Sequence, residues 1–126
     1  MEPDDSTPSG GTLSPAIERL RKRPDFLAAA KGRVRASGAL VAQARDRGDG
    51  SAMIRIGFTA TKRIGGAVER NRAKRRLREA ARIVAPLHAR AGHDYVFIAR
   101  GGTAAQPWGR LLDDMKSALI RLAADP

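Results

Sequence analysis

"MIRIGFTATKRIGGAVERNRAKRRLREAARIVAP" (53–86) holds the two periodicities from which the fold can be read. Over 53–62 apolar residues alternate. Ile54, Ile56, Phe58 and Ala60 fall on one face, and Arg55, Gly57, Thr59 and Thr61 on the other. Successive side chains of a strand point to opposite faces, so this segment predicts a strand with one face in the core and one free to meet something polar. From about Ala67 to Ala85 the period becomes helical, and Pro86 is expected to stop the helix. Ala73, Leu77, Ala80, Ala81 and Val84 form one apolar stripe. Asn71, Arg75, Arg78 and Arg82 line the opposite side, with Arg72 and Arg76 on one flank and Lys74 on the other. Such a helix can pack on a sheet and present a cationic ridge outward.

The ridge breaks a local rule. Seven bases stand between Gly65 and Arg82 against two acids, Glu69 and Glu79. Glu79 can meet Arg75, Arg76 or Arg82 across one turn, but two carboxylates cannot neutralise seven cations. Bases near the helix start also oppose the macrodipole. A solvated face with local ion pairs is the plain alternative. The density and one-sidedness of the charge favour a polyanion that supplies the missing counter-charge.

The totals agree. The chain has 126 residues, enough for one modest core, with 24 Lys+Arg against 13 Asp+Glu and a formal net charge of +11. Arg outnumbers Lys 19 to 5; its planar fork of donors fits phosphate, although a GC-rich genome would also raise Arg, Ala and Gly. The absence of cysteine excludes a disulfide framework, a thiol nucleophile and thiolate-bound zinc. No apolar run approaches the ~20 residues needed to span a bilayer. "MEPDDSTPSGG" lacks the features of a secretory signal, so the chain is expected to be soluble and cytoplasmic. Residues 1–13 predict a disordered tail with three acids and no base. Residues 14–126 then carry 24 bases against 10 acids, a net +14, and form a single expected domain. A membrane surface is the competing polyanion, but a stripe of mostly Ala, with Leu77 and Val84, offers little to insert into lipid. RNA or DNA suits it better.

Outside this stretch, "PDFLAAAKG" (24–32) predicts a helix with Gly32 at its C′ position. "ALVAQAR" (39–45) predicts a strand, "RDRGDGS" (45–51) a turn, and "DYVFIAR" (94–100) a buried strand. Trp108, Leu111, Leu112, Met115, Ala118, Leu119 and Leu122 recur at helical spacing, with Trp108 read as a packing anchor. The order predicts an α/β two-layer sandwich: a mixed sheet of about four strands, with helices packed on one face and the other face partly open. No catalytic constellation is legible. His88 and His93 lack metal-site spacing and are expected on the surface or in loops, and Asp113 and Asp114 diverge on a helix.

"KRIGGAVERNRAKRRLRE" (62–79) resembles the signature of the bacterial ribonuclease P protein component. The matches fall on Lys62, Arg63, Gly65, Ala67, Val68, Arg70, Asn71, Arg72, Lys74, Arg75 and Arg78. "LRKRPDFLAAAKG" (20–32) and "DYVFIAR" (94–100) resemble flanking parts of the same family, so the resemblance runs from about residue 18 to the C-terminus. It implies a left-handed β-α-β crossover, as in ribosomal-protein-S5-like folds, against the usual right-handed rule. It implies a ribonucleoprotein endoribonuclease that removes the 5′ leader from precursor tRNA, with Mg²⁺ and the catalytic groups on the RNA subunit. It implies one protein per RNA subunit, bound through Lys62, Arg63, Arg70, Asn71, Arg72, Lys74, Arg75 and Arg78. Phe26, Arg55, Thr59 and Thr61 would line a cleft for the single-stranded leader. Phe26 as core filling stays equally open. The family often has an aromatic four residues after Phe26, where this chain has Ala30. A non-enzymatic RNA-binding protein of ribosomal type is the alternative; an autonomous nuclease would need acids or a His base that the sequence does not cluster.

Overall fold

The computed structural model describes residues 16–124. In chain order these form β1 (Ile17–Arg19), α1 (Arg23–Ala30), β2 (Arg33–Ser37), β3 (Leu40–Asp46), β4 (Ile54–Ala60), α2 (Ala67–His88), β5 (His93–Ala99) and α3 (Trp108–Ala124). The expected acidic tail, 1–13, lies outside the described residues. The strands make one mixed sheet in the order β1-β4-β5-β3-β2. β1, β4 and β5 run parallel, β3 is antiparallel to β5, and β2 is antiparallel to β3. The sheet is mixed, as expected, but has five strands rather than about four. β1 is held by hydrogen bonding along β4, where the Leu20 N–H donates to the Ile56 carbonyl (2.9 Å) and the Ile54 N–H to the Ala16 carbonyl (3.0 Å).

β4 sets the frame. It pairs with β5 in the register Arg55↔Asp94, Ile56↔Tyr95 and Phe58↔Phe97. Parallel neighbours need a crossover. A short 3₁₀ turn at Lys62–Ile64 and then α2 supply it. The alternation read from the sequence holds: Ile54 and Ile56 are buried in the main core, with Phe58 and Ala60 packed at its margin. α2 and α3 cover this face, bringing Leu77, Val84, Leu111, Met115, Leu119 and Leu122 against Leu40, Tyr95 and Phe97.

The helices do not all lie on one face, which corrects the expected sandwich. α1 sits on the other side of the sheet, where Leu20, Ala29 and Val96 are buried with Phe26 and Ile98 around them. β5 explains the difference. Tyr95, Phe97 and Ala99 point to α2 and α3, while Val96 and Ile98 point to α1. A strand that is apolar on both faces needs cover on both.

Of two breaker residues, Gly32 stands at the C′ position as expected and Pro86 does not end its helix. Gly32 does follow α1, but its backbone is not left-handed; a Cβ there would stand 2.1 Å from the Ala44 carbonyl oxygen. Glycine is required by close approach to β3 rather than by a capping dihedral. Pro86 does not stop α2, which continues to His88. Its ring lies on the exposed side of the last turn, and Ala85 beside it is fully buried. Proline costs a helix one N–H donor and crowds the carbonyl four residues back; near an end, with the opposite face packed, the helix tolerates both.

Candidate nucleic-acid interface

The ridge begins at a glycine pair. Gly65 adopts φ 143°, which admits few other residues, and Gly66 is the N-cap of α2. The Gly66 N–H donates to Glu69 Oε1 (3.2 Å), placing an acid at the positive end of the helix dipole. Three of the seven bases have protein partners. Arg70 turns back and donates from Nη1 to the Gly65 carbonyl (3.0 Å). Arg76 donates to the Thr103 carbonyl (2.7 Å), and its guanidinium lies 5.6 Å over the Trp108 ring. Arg82 pairs with Glu79 (2.6 Å).

The remaining bases have neither a hydrogen-bond nor an ion-pair partner among the described residues. Arg72 and Arg75 are exposed on α2 with Asn71, while Lys74 and Arg78 are half-buried at its flanks. Lys62 and Arg63 are exposed on the preceding turn. The structure therefore gathers Lys62, Arg63, Asn71, Arg72, Lys74, Arg75 and Arg78 along one element and its approach, and sets Arg70 apart as a brace of the turn. The local acids are spent on the N-cap and on Arg82, so the rest of the ridge faces solvent without counter-charge. Trp108 is 38% exposed. It braces α2 through Arg76 rather than filling the core as the sequence suggested.

On the other face, Phe26 lies against the sheet at Gly57. A Cβ on Gly57 would meet the Phe26 ring at 2.5 Å, so the glycine makes room for the aromatic. Phe26 is half-buried, part core and part surface. Thr59 is half-buried further along the same face of β4, and Thr61 is exposed just beyond it. Arg55 has a different setting. It donates from Nε (2.8 Å) and Nη2 (2.7 Å) to the two oxygens of Asp94, and from Nη1 to Asp25 on α1 (3.3 Å). A guanidinium so engaged cannot neutralise another anion without loosening a partner.

Asp94 is the residue that sequence reading passed over. Its side chain is fully buried, and Arg47 also donates to it (2.8 Å), with Arg45 at 3.7 Å. Burial alone pushes the carboxyl upward, but the hydrogen bonds from Arg55 and Arg47 outweigh it and hold Asp94 below its ordinary value. The same bond to Asp94 raises Arg55. Arg47 further donates to the Met53 carbonyl (2.6 Å) and to Asp49 (3.0 Å), tying the β3–β4 loop to the sheet. The cluster fixes loop, sheet and α1 together. Its one sequence signal is an acid opening an apolar strand.

No group of three His, Cys, Asp or Glu residues that could hold a metal occurs among the described residues. His93, expected on the surface, is buried at the start of β5, stacked near Tyr95 with Nδ1 2.9 Å from the Ala91 carbonyl. His88 is half-buried at the end of α2. No helix among the described residues is long and apolar enough to cross a membrane.

Comparison with known proteins places this geometry. The family model for ribonuclease P matches residues 15–123. The chain is 70% identical over 109 residues to the ribonuclease P protein component of Caulobacter vibrioides, covering 86% of this chain and 73% of that one. It is 54% identical over 113 residues to that of Ruegeria pomeroyi, covering 88% and 90%. Among solved structures, the ribonuclease P protein of Thermotoga maritima superposes with a TM-score of 0.70 at 27% identity, covering 82% of this chain and 96% of that one. That of Staphylococcus aureus superposes with a TM-score of 0.68 at 25% identity, covering 84% and 94%. With a family match across nearly all the described residues, and a fold that leaves Arg72 and Arg75 of the Arg-Asn-Arg helix without an ion-pair partner among them, the chain belongs to the ribonuclease P protein component family.

Proposed function

We propose that the chain binds the ribonuclease P RNA through the α2 ridge and the single-stranded leader of precursor tRNA across the α1 face, one protein to one RNA, in the cytoplasm. The observation that carries this reading is the run of unpartnered cations on the exposed side of α2. Their counter-charges are RNA phosphates. Arg72 and Arg75 lie outermost, Lys74 and Arg78 flank them, and Lys62 and Arg63 extend the track before the helix. Asn71 adds a neutral donor and acceptor to the same row. Arg70 acts at one remove, by holding the turn that aims the helix start, where the dipole also favours anions.

For the leader, the half-buried Phe26 ring offers stacking surface worth ~1–3 kcal/mol per base, and Thr59 and Thr61 offer hydroxyls beside it. Exposed Ala30 stands where the family often has a second ring, so more of the contact rests on Phe26. Arg55 contributes by positioning α1 over the sheet through Asp25 and Asp94. We take the α2 crossover between β4 and β5 to be left-handed, as the family resemblance implies. The Mg²⁺ of the reaction is assigned to the RNA, as the family resemblance implies; Asp25 and Asp94 of this chain are engaged by Arg55.

The test is reconstitution. Purified chain, a bacterial ribonuclease P RNA and precursor tRNA are combined at low Mg²⁺. Release of the 5′ leader only with protein and RNA together is expected. Cleavage by RNA-free protein that survives nuclease treatment would place the catalytic groups on the chain. Equal cleavage by RNA with and without protein would favour the ribosomal-type alternative.

A further inference from the structure

The ridge has an apolar neighbour. Between edge strand β1 and helix α2 opens a cavity of about 330 Å³, lined by Ile17, Ile56, Phe58, Ala81 and Pro86, with Arg19, Arg78 and Arg82 at its rim. Ile17 and Arg19 pair in register with Ile54 and Ile56, which places both on the α2 side of the sheet. Glu18 also borders the cavity; it pairs in register with Arg55, and the alternation of the strand directs its side chain to the other face. The interior is therefore apolar and the rim cationic. Phe58 stacks on Phe97 on its core side (6.0 Å between centroids) and is only partly buried. Ile17 is left 40% exposed.

We infer that this cavity takes one unstacked nucleobase of the bound RNA, its flanking phosphate held by Arg78, which has no ion-pair or hydrogen-bond partner among the described residues, while Arg82 beside it stays paired with Glu79. The inference rests on the α2 ridge binding RNA and deepens it. Three features select a base over other occupants. The volume is at the small end for ligand sites, ~300–1,000 Å³, which admits a flat ring but no helix. The rim and the unpartnered part of the ridge share Arg78, so a strand that tracks the ridge passes the mouth. The floor combines an aromatic face with aliphatic side chains. Single-stranded loops and bulges of RNA are recognised in this way, by splaying a base onto apolar or guanidinium surfaces while arginines hold its phosphates. The pocket lies on the sheet face opposite Phe26, so it serves a nucleotide other than the leader bases placed there.

Methyl NMR of the intact chain tests this. With the Ile methyls labelled, ribonuclease P RNA is added, and in parallel each of the four nucleoside 5′-monophosphates and inorganic phosphate. A seated base moves the Ile17 and Ile56 methyl signals upfield by its ring current; the monophosphates do the same at high concentration, and inorganic phosphate does not. Ile17→Trp, which closes the mouth at an exposed position, is expected to weaken RNA binding about tenfold, as for one lost stacked base. The salt dependence stays unchanged, because no phosphate contact is removed. RNA binding that leaves both methyls unmoved overturns the pocket while leaving the ridge intact. Absence of RNA binding overturns both. Shifts of the same methyls with protein concentration alone would assign the groove to a second copy of the chain and equally overturn the proposal.

Discussion

Asp94→Asn is the sharpest perturbation of the fold. The substitution keeps the shape and removes the charge. Asp94 is fully buried between its register neighbours Arg45 and Arg55, and it accepts three hydrogen bonds from Arg47 and Arg55. Asparagine retains one acceptor and sets an N–H group against a guanidinium. Arg47, with 4% of its side chain exposed, is left without its buried counter-charge. Removing one partner of a buried pair costs ~3–5 kcal/mol. Arg47 keeps Asp49 and the Met53 carbonyl, and Arg55 keeps Asp25, so the expected loss is about 3 kcal/mol, at the low end of that range. Urea unfolding should show a lower midpoint at unchanged m-value. The pH dependence has a definite sign. Because the folded carboxyl is held below its unfolded value, the folded state binds fewer protons between the two values. Its contribution is complete above the unfolded value of ~3.9 and is lost as pH falls through the folded one. The gap between parent and variant should therefore narrow on acidification. A loss under about 0.5 kcal/mol, the scatter of an ordinary surface change, or a gap that persists in strong acid, would refute the claim that Asp94 anchors the cluster.

Two further substitutions probe other parts of the molecule. Leu77→Ala, at a fully buried site of the α2 stripe, should cost roughly 2–5 kcal/mol by denaturation, while RNA affinity measured well below the melting temperature stays near that of the parent. Gly57→Ala puts a methyl 2.5 Å from the Phe26 ring and should cost about 1–3 kcal/mol as overpacking. It should also weaken binding of precursor tRNA more than of mature tRNA in a filter-binding comparison; equal effects on both would remove Phe26 from the leader site.

Where the sequence was legible, a single element carried its own pattern. β4 alternates because one of its faces is core, and Ala73, Leu77, Ala80, Ala81 and Val84 of α2 are all buried as their spacing predicts. α3 follows the same rule apart from Trp108, whose place depends on Arg76 from another helix. What stayed hidden depends on pairings distant in the chain. Ile17–Arg19 and Arg33–Ser37 carry too many charges to read as strands, and they become strands because β4 and β3 offer them edges. α1 buries Ala29 and part of Phe26, but nothing local says on which face of the sheet. Asp94 reads as a polar strand end until the register sets Arg45 on one side of it and Arg55 on the other. The same ion pairs engage Arg55, which the strand's alternation alone left looking free. The ridge was legible as charge, yet its division into bracing residues, Arg70 and Arg76, and unpartnered ones, Arg72, Arg75 and Arg78, depends on contacts with the Gly65 turn and with Thr103 and Trp108.

The central claim is that the unpartnered cations of α2 are there for RNA phosphates. The affinity of the chain for ribonuclease P RNA, measured across a range of salt concentrations for the parent and for Arg75→Ala, tests it most directly. Arg75 is exposed and has no ion-pair or hydrogen-bond partner among the described residues. The parent should lose affinity steeply as salt rises, because each phosphate contact releases counterions. Arg75→Ala should bind more weakly, with a log–log slope shallower by about one, and its thermal stability should hold or rise as repulsion along the helix is relieved. If Arg75→Ala leaves both affinity and slope unchanged, or unfolds the protein, the ridge is a structural feature and the account is contradicted.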